Sequence, residues 1–85
     1  MGANAIRNQI RRLRFEHEEM TQQALAERIG VTRQTVNAIE LGKYSPSLEV
    51  AFRIASVFAR PLEEVFQFRA ADAAASGTAA NTPTR

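Results

Sequence analysis

The chain of 85 residues contains no cysteine and no tryptophan, and its only histidine is His17. Without cysteine it can form no disulfide, no thiolate metal site and no thiol nucleophile. A lone histidine near a helix end is expected to face solvent, and acid–base or metal sites need several convergent groups. None of the serines stands in a catalytic motif. We therefore predict a protein that is not an enzyme and that binds neither a metal nor a cofactor.

Long apolar segments are also missing. No run approaches the roughly 20 apolar residues that cross a bilayer as a helix, and the N-terminus has no apolar signal segment. Ile6 stands where a myristoylation motif has serine or threonine. We therefore expect a soluble, cytoplasmic protein with no membrane partner.

The residues that are present are those of one small globular domain. The apolar content of 45% predicts a packed core, although the chain is near the lower limit of what can bury one unaided. Such a domain either packs efficiently or associates with copies of itself. Ten of the eleven basic residues are arginine, the formal net charge is +2 and the pI is about 9.9. That balance is compatible with nucleic-acid binding but does not require it.

The periodicity of the apolar residues predicts five helices, of which the first two precede residue 30. Ile6, Ile10 and Leu13 recur at the spacing of an amphipathic helix that runs from residue 4 to about residue 17. Thr21 is positioned to cap the second helix. The inward-facing residues of that helix are Leu25, Ala26 and Ile29.

Glycines mark both ends of the third helix. Gly30 follows the second helix, where a left-handed conformation ends a helix and costs glycine no side-chain clash. Thr32 is positioned to cap a third helix that ends at about Leu41, and Gly42 ends it in the same way. Only Gly30, Val31 and Thr32 separate the two helices, so the sequence predicts a sharp turn between them.

The fourth and fifth helices follow the loop "KYSPS". The fourth is capped by Ser47, or alternatively by Ser45 with Pro46 at its first position, and it runs to about Ala59. A short fifth helix begins at Pro61. The inward-facing residues of these two helices are Leu48, Val50, Ala51, Ile54, Val57, Phe58, Leu62, Val65 and Phe66, with Phe68 as a further candidate.

The last part of the chain differs in composition. Residues 70–85 are rich in alanine and offer no large apolar side chain for packing. We therefore expect residues 1–69 to form an all-α domain of five helices, followed by a frayed or disordered tail.

The third helix places different residues on its two sides. At about 100° per residue, Thr32, Val36 and Ile39 share one side. The other side carries Arg33, Gln34 and Asn37, near the N-terminal end. Arginine can bind guanine O6 and N7 with two hydrogen bonds, and Asn or Gln can do the same to adenine N6 and N7. A helix enters the major groove when its first turns project from the protein, which a sharp turn after the preceding helix achieves.

The segment TQQALAERIGVTRQTVNAIELGKYSPSLEVAFRIASVF resembles the helix-turn-helix of the lambda-repressor/Cro-like regulators, the Xre family. The resemblance extends from about residue 4 to residue 68 and includes Ala26, Gly30, the "GKYSPSLE" connector and the "PLEEVF" ending. It implies a five-helix fold with the helix-turn-helix at helices two and three. It also implies a sequence-specific regulator of transcription that binds double-stranded DNA as a homodimer on a palindromic site, and that is associated with the nucleoid.

The resemblance also implies roles for individual residues. The groove-facing positions are Arg33, Gln34, Asn37 and Ala38, of which the last offers only a methyl contact. The phosphate-contacting positions are Gln22, Thr35 and Lys43. Arg14 and Glu40 match a pair that fixes the recognition helix, while the small Ala26 lets the two helices cross closely around the turn at Gly30. From their spacing, Arg7 and Arg11 share a helix face, and we expect Arg11 to contact the DNA backbone.

Two departures from the family pattern concern turns. Glu18 stands where relatives often have glycine at the end of the first helix, and "FARP", beginning at Phe58, replaces the more usual "FGVP". Neither departure lies on the recognition surface. Both therefore concern turn geometry rather than function.

The dimer surface is expected near the C-terminal end of the domain, where apolar residues outnumber the needs of one small core. Its candidate residues are Leu62, Val65, Phe66 and Phe68. A rival interpretation is that the same fold serves as a protein-interaction module, such as an antitoxin or a bridging factor, but that role gives no reason to present Arg33, Gln34 and Asn37 together. RNA binding is a further alternative, which the expected absence of sheet-borne aromatic residues disfavours.

Overall fold

The computed structural model describes residues 5–68, so the predicted disordered tail of residues 70–85 lies outside the described residues. Within residues 5–68 there are five helices and two short strands. In chain order these are β1 (Ile6–Asn8), α1 (Ile10–Glu16), α2 (Gln22–Ile29), α3 (Arg33–Glu40), α4 (Leu48–Phe58), α5 (Leu62–Val65) and β2 (Phe66–Phe68). Among the described residues, none of the helices has the length and apolar character needed to cross a membrane.

The two strands correct the expectation of a purely helical domain. β1 and β2 pair antiparallel, with Ile6 opposite Phe68 and Asn8 opposite Phe66. The first helix therefore begins at Ile10 instead of residue 4, and the fifth ends at Val65. Strands of three residues are too short for their periodicity to be distinguished from a helix. Phe66 and Phe68 lie on this sheet. The expectation that the protein has no aromatic residues on a sheet was therefore wrong.

One core holds the five helices together, and every helix contributes to it. Its buried residues are Ile10, Leu13, Leu25, Ala26, Ile29, Val36, Ile39, Ile54, Ala55, Phe58 and Val65. Val65 is fully buried, so it packs in this core and cannot lie on a dimer surface as predicted. Leu48 was predicted to face inward but is 67% exposed. It is the first residue of α4, and the buried residues of that helix begin one turn later, at Ala51.

His17 was expected to face solvent, but its side chain packs against the domain. It is half-buried, its Nδ1 lies 3.0 Å from the carbonyl oxygen of Leu13, and its ring meets the edge of Phe58 at a centroid distance of 5.1 Å. Such an aromatic contact belongs to the packing of the domain. Among residues 5–68 there is no cluster of three His, Asp or Glu side chains that could hold a metal ion.

Side-chain caps begin three of the helices at the predicted residues. The hydroxyl of Thr21 accepts a hydrogen bond from the Ala24 N–H at 2.9 Å, and that of Thr32 accepts one from the Thr35 N–H at 3.1 Å. Ser47 caps α4 in the same way. Of the two candidate caps, Ser47 is therefore the correct one and Ser45 is not. Each cap satisfies an N–H that has no partner within its helix.

The ends of α2 and α3 share one backbone motif. Gly30 and Gly42 both have left-handed conformations, with φ of 78° and 76°. The Val31 N–H reaches back to the Ala26 carbonyl at 3.0 Å, and the Lys43 N–H to the Ala38 carbonyl at 2.9 Å. This is the Schellman arrangement, which satisfies the last carbonyls of a helix and reverses the chain. The predicted sharp turn after α2 therefore has a specific hydrogen-bonded geometry.

Two non-glycine turns coincide with the departures from the family pattern. Glu18 and Glu19, after α1, have φ of 58° and 56°, and Ala59, after α4, has φ of 54°. Side chains with a Cβ are strained in this region by about 1–2 kcal/mol each. The Arg60 N–H bonds to the Ala55 carbonyl at 3.1 Å, so Ala59 occupies the glycine position of a third Schellman turn.

Ala59→Gly is therefore expected to raise the free energy of unfolding by about 0.5–1 kcal/mol. The strain energy that glycine relieves at this left-handed position is larger than the entropic cost of the greater freedom that glycine has in the unfolded chain. Urea unfolding of the variant beside the parent measures the difference. Ser56→Gly is the control, because Ser56 is exposed but lies inside α4, where glycine costs about 0.5 kcal/mol. A loss of stability in Ala59→Gly would contradict the assignment of strain to this turn.

Candidate nucleic-acid interface

The relative placement of α2 and α3 is set by the buried residues between them. Leu25, Ala26 and Ile29 of α2 and Val36 and Ile39 of α3 are all buried in the common core. Ala26 is fully buried, and a residue without a side chain beyond Cβ permits a close approach of neighbouring helices. Because both helices bury residues in one core across a three-residue turn, α3 cannot continue in line with α2.

The outward side of α3 is polar at its N-terminal end. Arg33 and Gln34, the first two residues of the helix, are exposed, and Asn37 and Ala38 are half-buried beside them. Within residues 5–68, the side chains of Arg33 and Gln34 have no hydrogen-bond or ion-pair partner. The flank that the sequence assigned to base contacts is therefore open to solvent.

Leu41 adds an apolar element to this side that the sequence analysis missed. It directly follows α3, is exposed, and lies seven residues after Gln34, which places both on the same side of the helix. The i+7 spacing was a usable signal, but the sequence was used to place Leu41 only as the approximate end of the third helix. With Ala38 it forms an apolar strip beside the polar residues.

The pair formed by Arg14 and Glu40 anchors the C-terminal end of α3. Arg14 Nε donates to Glu40 Oε2 at 2.6 Å and Arg14 Nη2 to Oε1 at 3.1 Å. Arg14 Nη1 also donates to the Met20 carbonyl at 2.8 Å, which ties in the segment before α2. The two side chains are only 15% and 8% exposed. This two-bonded pair therefore fixes α3 against α1 and the start of α2.

Gln22 joins this pair to the recognition face. As the first residue of α2, it directs its Nε2 to Glu40 Oε1 at 3.2 Å and to Asn37 Oδ1 at 3.1 Å. Arg14, Glu40, Gln22 and Asn37 thus form one continuous polar network. The structure brings together four residues to which the sequence analysis gave three separate roles.

Asn8 is a second residue that the sequence analysis missed. Its Nδ2 donates to the Ile39 carbonyl at 2.9 Å, and its Oδ1 accepts from the Ile10 N–H at 3.1 Å. It therefore satisfies a carbonyl in the last turn of α3 and an N–H at the start of α1. Asparagine before a helix is a signal for such a turn, but residue 8 had been placed inside the first helix.

The other residues predicted to contact phosphate lie within α3, directly after it, and on α1. Thr35 is half-buried, and its hydroxyl lies 3.0 Å from that of Thr32. Lys43 is exposed directly after the turn at Gly42. Arg11 is exposed on α1 and lines a surface cleft of about 660 Å³ with Phe15 and Met20. The first turns of α2 and α3 contain no acidic residue of their own, and acidic residues in a first turn would offset the positive end of the helix dipole.

Comparison with known proteins identifies relatives of this chain. A model of the helix-turn-helix family matches residues 10–65. An HTH-type transcriptional regulator from Methanocaldococcus jannaschii is 46% identical over 61 residues, which cover 72% of this chain and 91% of that protein. One from Methanothermobacter thermautotrophicus is 51% identical over 61 residues, covering 67% and 88%. YgzD of Bacillus subtilis, also named as an HTH-type transcriptional regulator, is 44% identical over 61 residues, covering 72% and 91%.

The fold and these matches define a DNA-binding protein of the helix-turn-helix class. Within that class, the chain belongs to the Xre/Cro-like family of transcriptional regulators. The resemblance seen in the sequence is thereby confirmed, with the helix-turn-helix at α2 and α3.

Proposed function

We propose that this regulator recognises a specific sequence of double-stranded DNA by placing α3 in the major groove. The observation that carries the proposal is the exposure of Arg33 and Gln34 on the first turn of α3, while Val36 and Ile39 of the same helix are buried. Long polar side chains at the leading end of a helix fit base edges, and the major groove admits one helix.

Residues on the outward side of α3 are proposed to contact the base edges directly. Arg33 has the fork geometry that binds guanine O6 and N7, and Gln34 can bind adenine N6 and N7. Ala38 and Leu41 are apolar and exposed or half-exposed, and such side chains suit the methyl group of thymine. These contacts select the sequence.

Contacts to the DNA backbone are proposed for residues of α3, of the turn that follows it and of α1. Lys43 and Arg11 supply positive charge, and Thr35 supplies a hydroxyl, all types that commonly bind phosphate oxygens. Such contacts set the orientation on the duplex and make the affinity dependent on salt. Replacing Lys43 should therefore weaken binding to all sequences by similar factors.

The proposed site is palindromic because the chain is proposed to act as a homodimer. Phe68 is 62% exposed and Leu48 is 67% exposed, and Phe52 is exposed as well. Beside them an apolar groove of about 310 Å³ is lined by Ile6, Pro46, Leu48, Ala51, Leu62 and Phe66. None of these six lining residues belongs to α3, so a second copy seated on this groove need not cover Arg33 and Gln34. Two-fold pairing then places them on half-sites about 34–36 Å apart.

Selection of bound sites from random double-stranded DNA tests the proposal. The expected result is enrichment of an inverted repeat whose half-sites are about 10 base pairs apart from centre to centre. Enrichment of a single half-site would contradict the dimer and leave the recognition helix intact. The absence of any enriched sequence would contradict sequence-specific binding itself.

A further inference from the structure

The turn that follows α3 is held from outside by the side chain of Asn8. The carbonyl oxygen of Ile39 accepts a hydrogen bond from the Gly42 N–H at 3.0 Å, within the turn, and another from Asn8 Nδ2 at 2.9 Å. The next bond of the same turn joins the Lys43 N–H to the Ala38 carbonyl at 2.9 Å. Asn8 therefore shares an acceptor with the turn that leads the chain out of α3.

The orientation of the Asn8 amide is fixed by its two partners. The Ile10 N–H can only donate, so the atom of Asn8 that lies 3.1 Å from it is the oxygen Oδ1. The Ile39 carbonyl can only accept, so it faces the amino group Nδ2. An exchange of the two ends would break both bonds. The amide therefore has one orientation, in which it joins the start of α1 to the end of α3.

Asn8 is itself held by the body of the domain. It lies on β1 opposite Phe66 of β2, and the N–H of the next residue, Gln9, bonds to the Val65 carbonyl at 2.9 Å. Val65 is fully buried in the core. The side chain of Asn8 therefore ties the turn after α3 to a part of the protein that is packed, rather than to another exposed loop.

Lys43 connects this turn with the proposed contact to the DNA backbone. It is exposed, and its side chain has no hydrogen-bond or ion-pair partner among residues 5–68. Gly42, directly before it, has a φ of 76°, and a glycine has many other conformations open to it. A turn that already has its bound conformation loses less conformational freedom when a phosphate binds. Holding the turn therefore raises the affinity without adding a contact to DNA.

We infer that Asn8 is a positioning residue for DNA binding, which holds the turn after α3 so that Lys43 meets the DNA backbone from an ordered position. The inference rests on the proposed function, since it concerns how the proposed phosphate contact is prepared. Arg33 and Gln34, which are proposed to read the bases, lie at the other end of α3. Asn8 therefore affects the affinity for DNA and not the base preference.

Two replacements of Asn8 separate its two hydrogen bonds. A serine hydroxyl can accept from an N–H two residues further on, so Asn8→Ser keeps the bond from Ile10. Its side chain ends one atom earlier and does not extend to the Ile39 carbonyl. Asn8→Ala removes both bonds. In urea unfolding Asn8→Ala is expected to be the less stable of the two, whereas the two variants should bind DNA with equal affinity.

Amide hydrogen exchange tests the hold on the turn in the absence of DNA. In Asn8→Ser the amides of Gly42 and Lys43 are expected to exchange roughly 5- to 30-fold faster than in the parent, which corresponds to releasing the backbone of one residue. The turn after α2 is the internal control. Its Gly30 N–H bonds to the Ala26 carbonyl, the bonds of Asn8 do not involve it, and its exchange rate should not change. Equal acceleration at both turns would contradict the inference.

Fluorescence anisotropy with the selected duplex measures the consequence for binding, at a temperature at which all variants remain folded. Asn8→Ser is expected to bind roughly 5- to 30-fold more weakly for each bound protomer. Binding to an unrelated duplex should weaken by the same factor, because phosphate contacts carry no sequence information. In Lys43→Met the turn no longer supplies its phosphate contact, so adding Asn8→Ser should cause a further loss of less than about 2-fold.

The outcomes separate the role of Asn8 from the proposed function. If the Gly42 and Lys43 amides of Asn8→Ser keep the parent exchange rates, the role inferred for Asn8 is wrong while the proposed function stands. The same conclusion follows if Asn8→Ser weakens binding of Lys43→Met as much as it weakens binding of the parent. A parent that binds no duplex specifically would instead contradict the proposed function, and with it the role of Asn8 in DNA binding.

Discussion

Glu40→Ala is expected to lower the free energy of unfolding by about 3–5 kcal/mol, the usual cost of breaking a buried ion pair from one side. Glu40 is 8% exposed and accepts two bonds from Arg14, which is 15% exposed. Removal of the carboxylate leaves the guanidinium with little solvent and without its partner. Gln22 also loses the acceptor that it bonds at 3.2 Å. Urea unfolding followed by helical circular dichroism measures the loss.

Glu49→Ala is the matched control for this prediction. Glu49 forms an equally short ion pair with Arg53, at 2.5 Å against 2.6 Å, but the two side chains are 71% and 53% exposed. An exposed pair within one helix contributes little, because solvent screens it, and the favourable position of Glu49 in the first turn adds only a small amount. The expected loss is about 1 kcal/mol or less. If the two variants lose equal stability, burial does not determine the contribution of the Arg14–Glu40 pair.

The central part of the fold could be predicted from the sequence because its signals are local. The caps at Thr21, Thr32 and Ser47 each act within three residues, and the left-handed turn at Gly30 needs only the glycine itself. The two strands could not be predicted in this way. Ile6 and Phe68 pair across the whole domain, and a strand of three residues has no distinctive period. Pairing between such distant segments depends on tertiary packing.

The exposure of individual residues in the candidate site could be predicted, but the hydrogen bonds between them could not. A helical wheel suffices to place Arg33 and Gln34 on the exposed side of α3. It cannot show that Gln22, fifteen residues before Asn37, gives its hydrogens to the recognition helix. The bond from Asn8 to the Ile39 carbonyl, across 31 residues, was hidden for the same reason. The role of a residue that depends on its hydrogen-bond partners can be assigned only from the folded structure.

Loss of the two exposed polar residues at the start of α3 is expected to abolish specific recognition. Each base contact contributes about 1–3 kcal/mol of discrimination, so Arg33→Ala/Gln34→Ala should lose about 2–6 kcal/mol at the selected site if the two contributions add. That corresponds to a loss of affinity of roughly 30-fold to 10⁴-fold. Both residues are exposed, so the fold and its unfolding midpoint should change little.

The matched control is Gln23→Ala/Arg28→Ala, which removes the same two side-chain types and the same charge from the exposed side of α2. Fluorescence anisotropy with the selected duplex and with an unrelated duplex, at one fixed salt concentration, compares the two double variants with the parent. Arg33→Ala/Gln34→Ala is expected to bind both duplexes with the same weak affinity, while the control keeps its preference for the selected one. Equal preference in the two double variants would contradict the claim that the leading turn of α3 reads the bases.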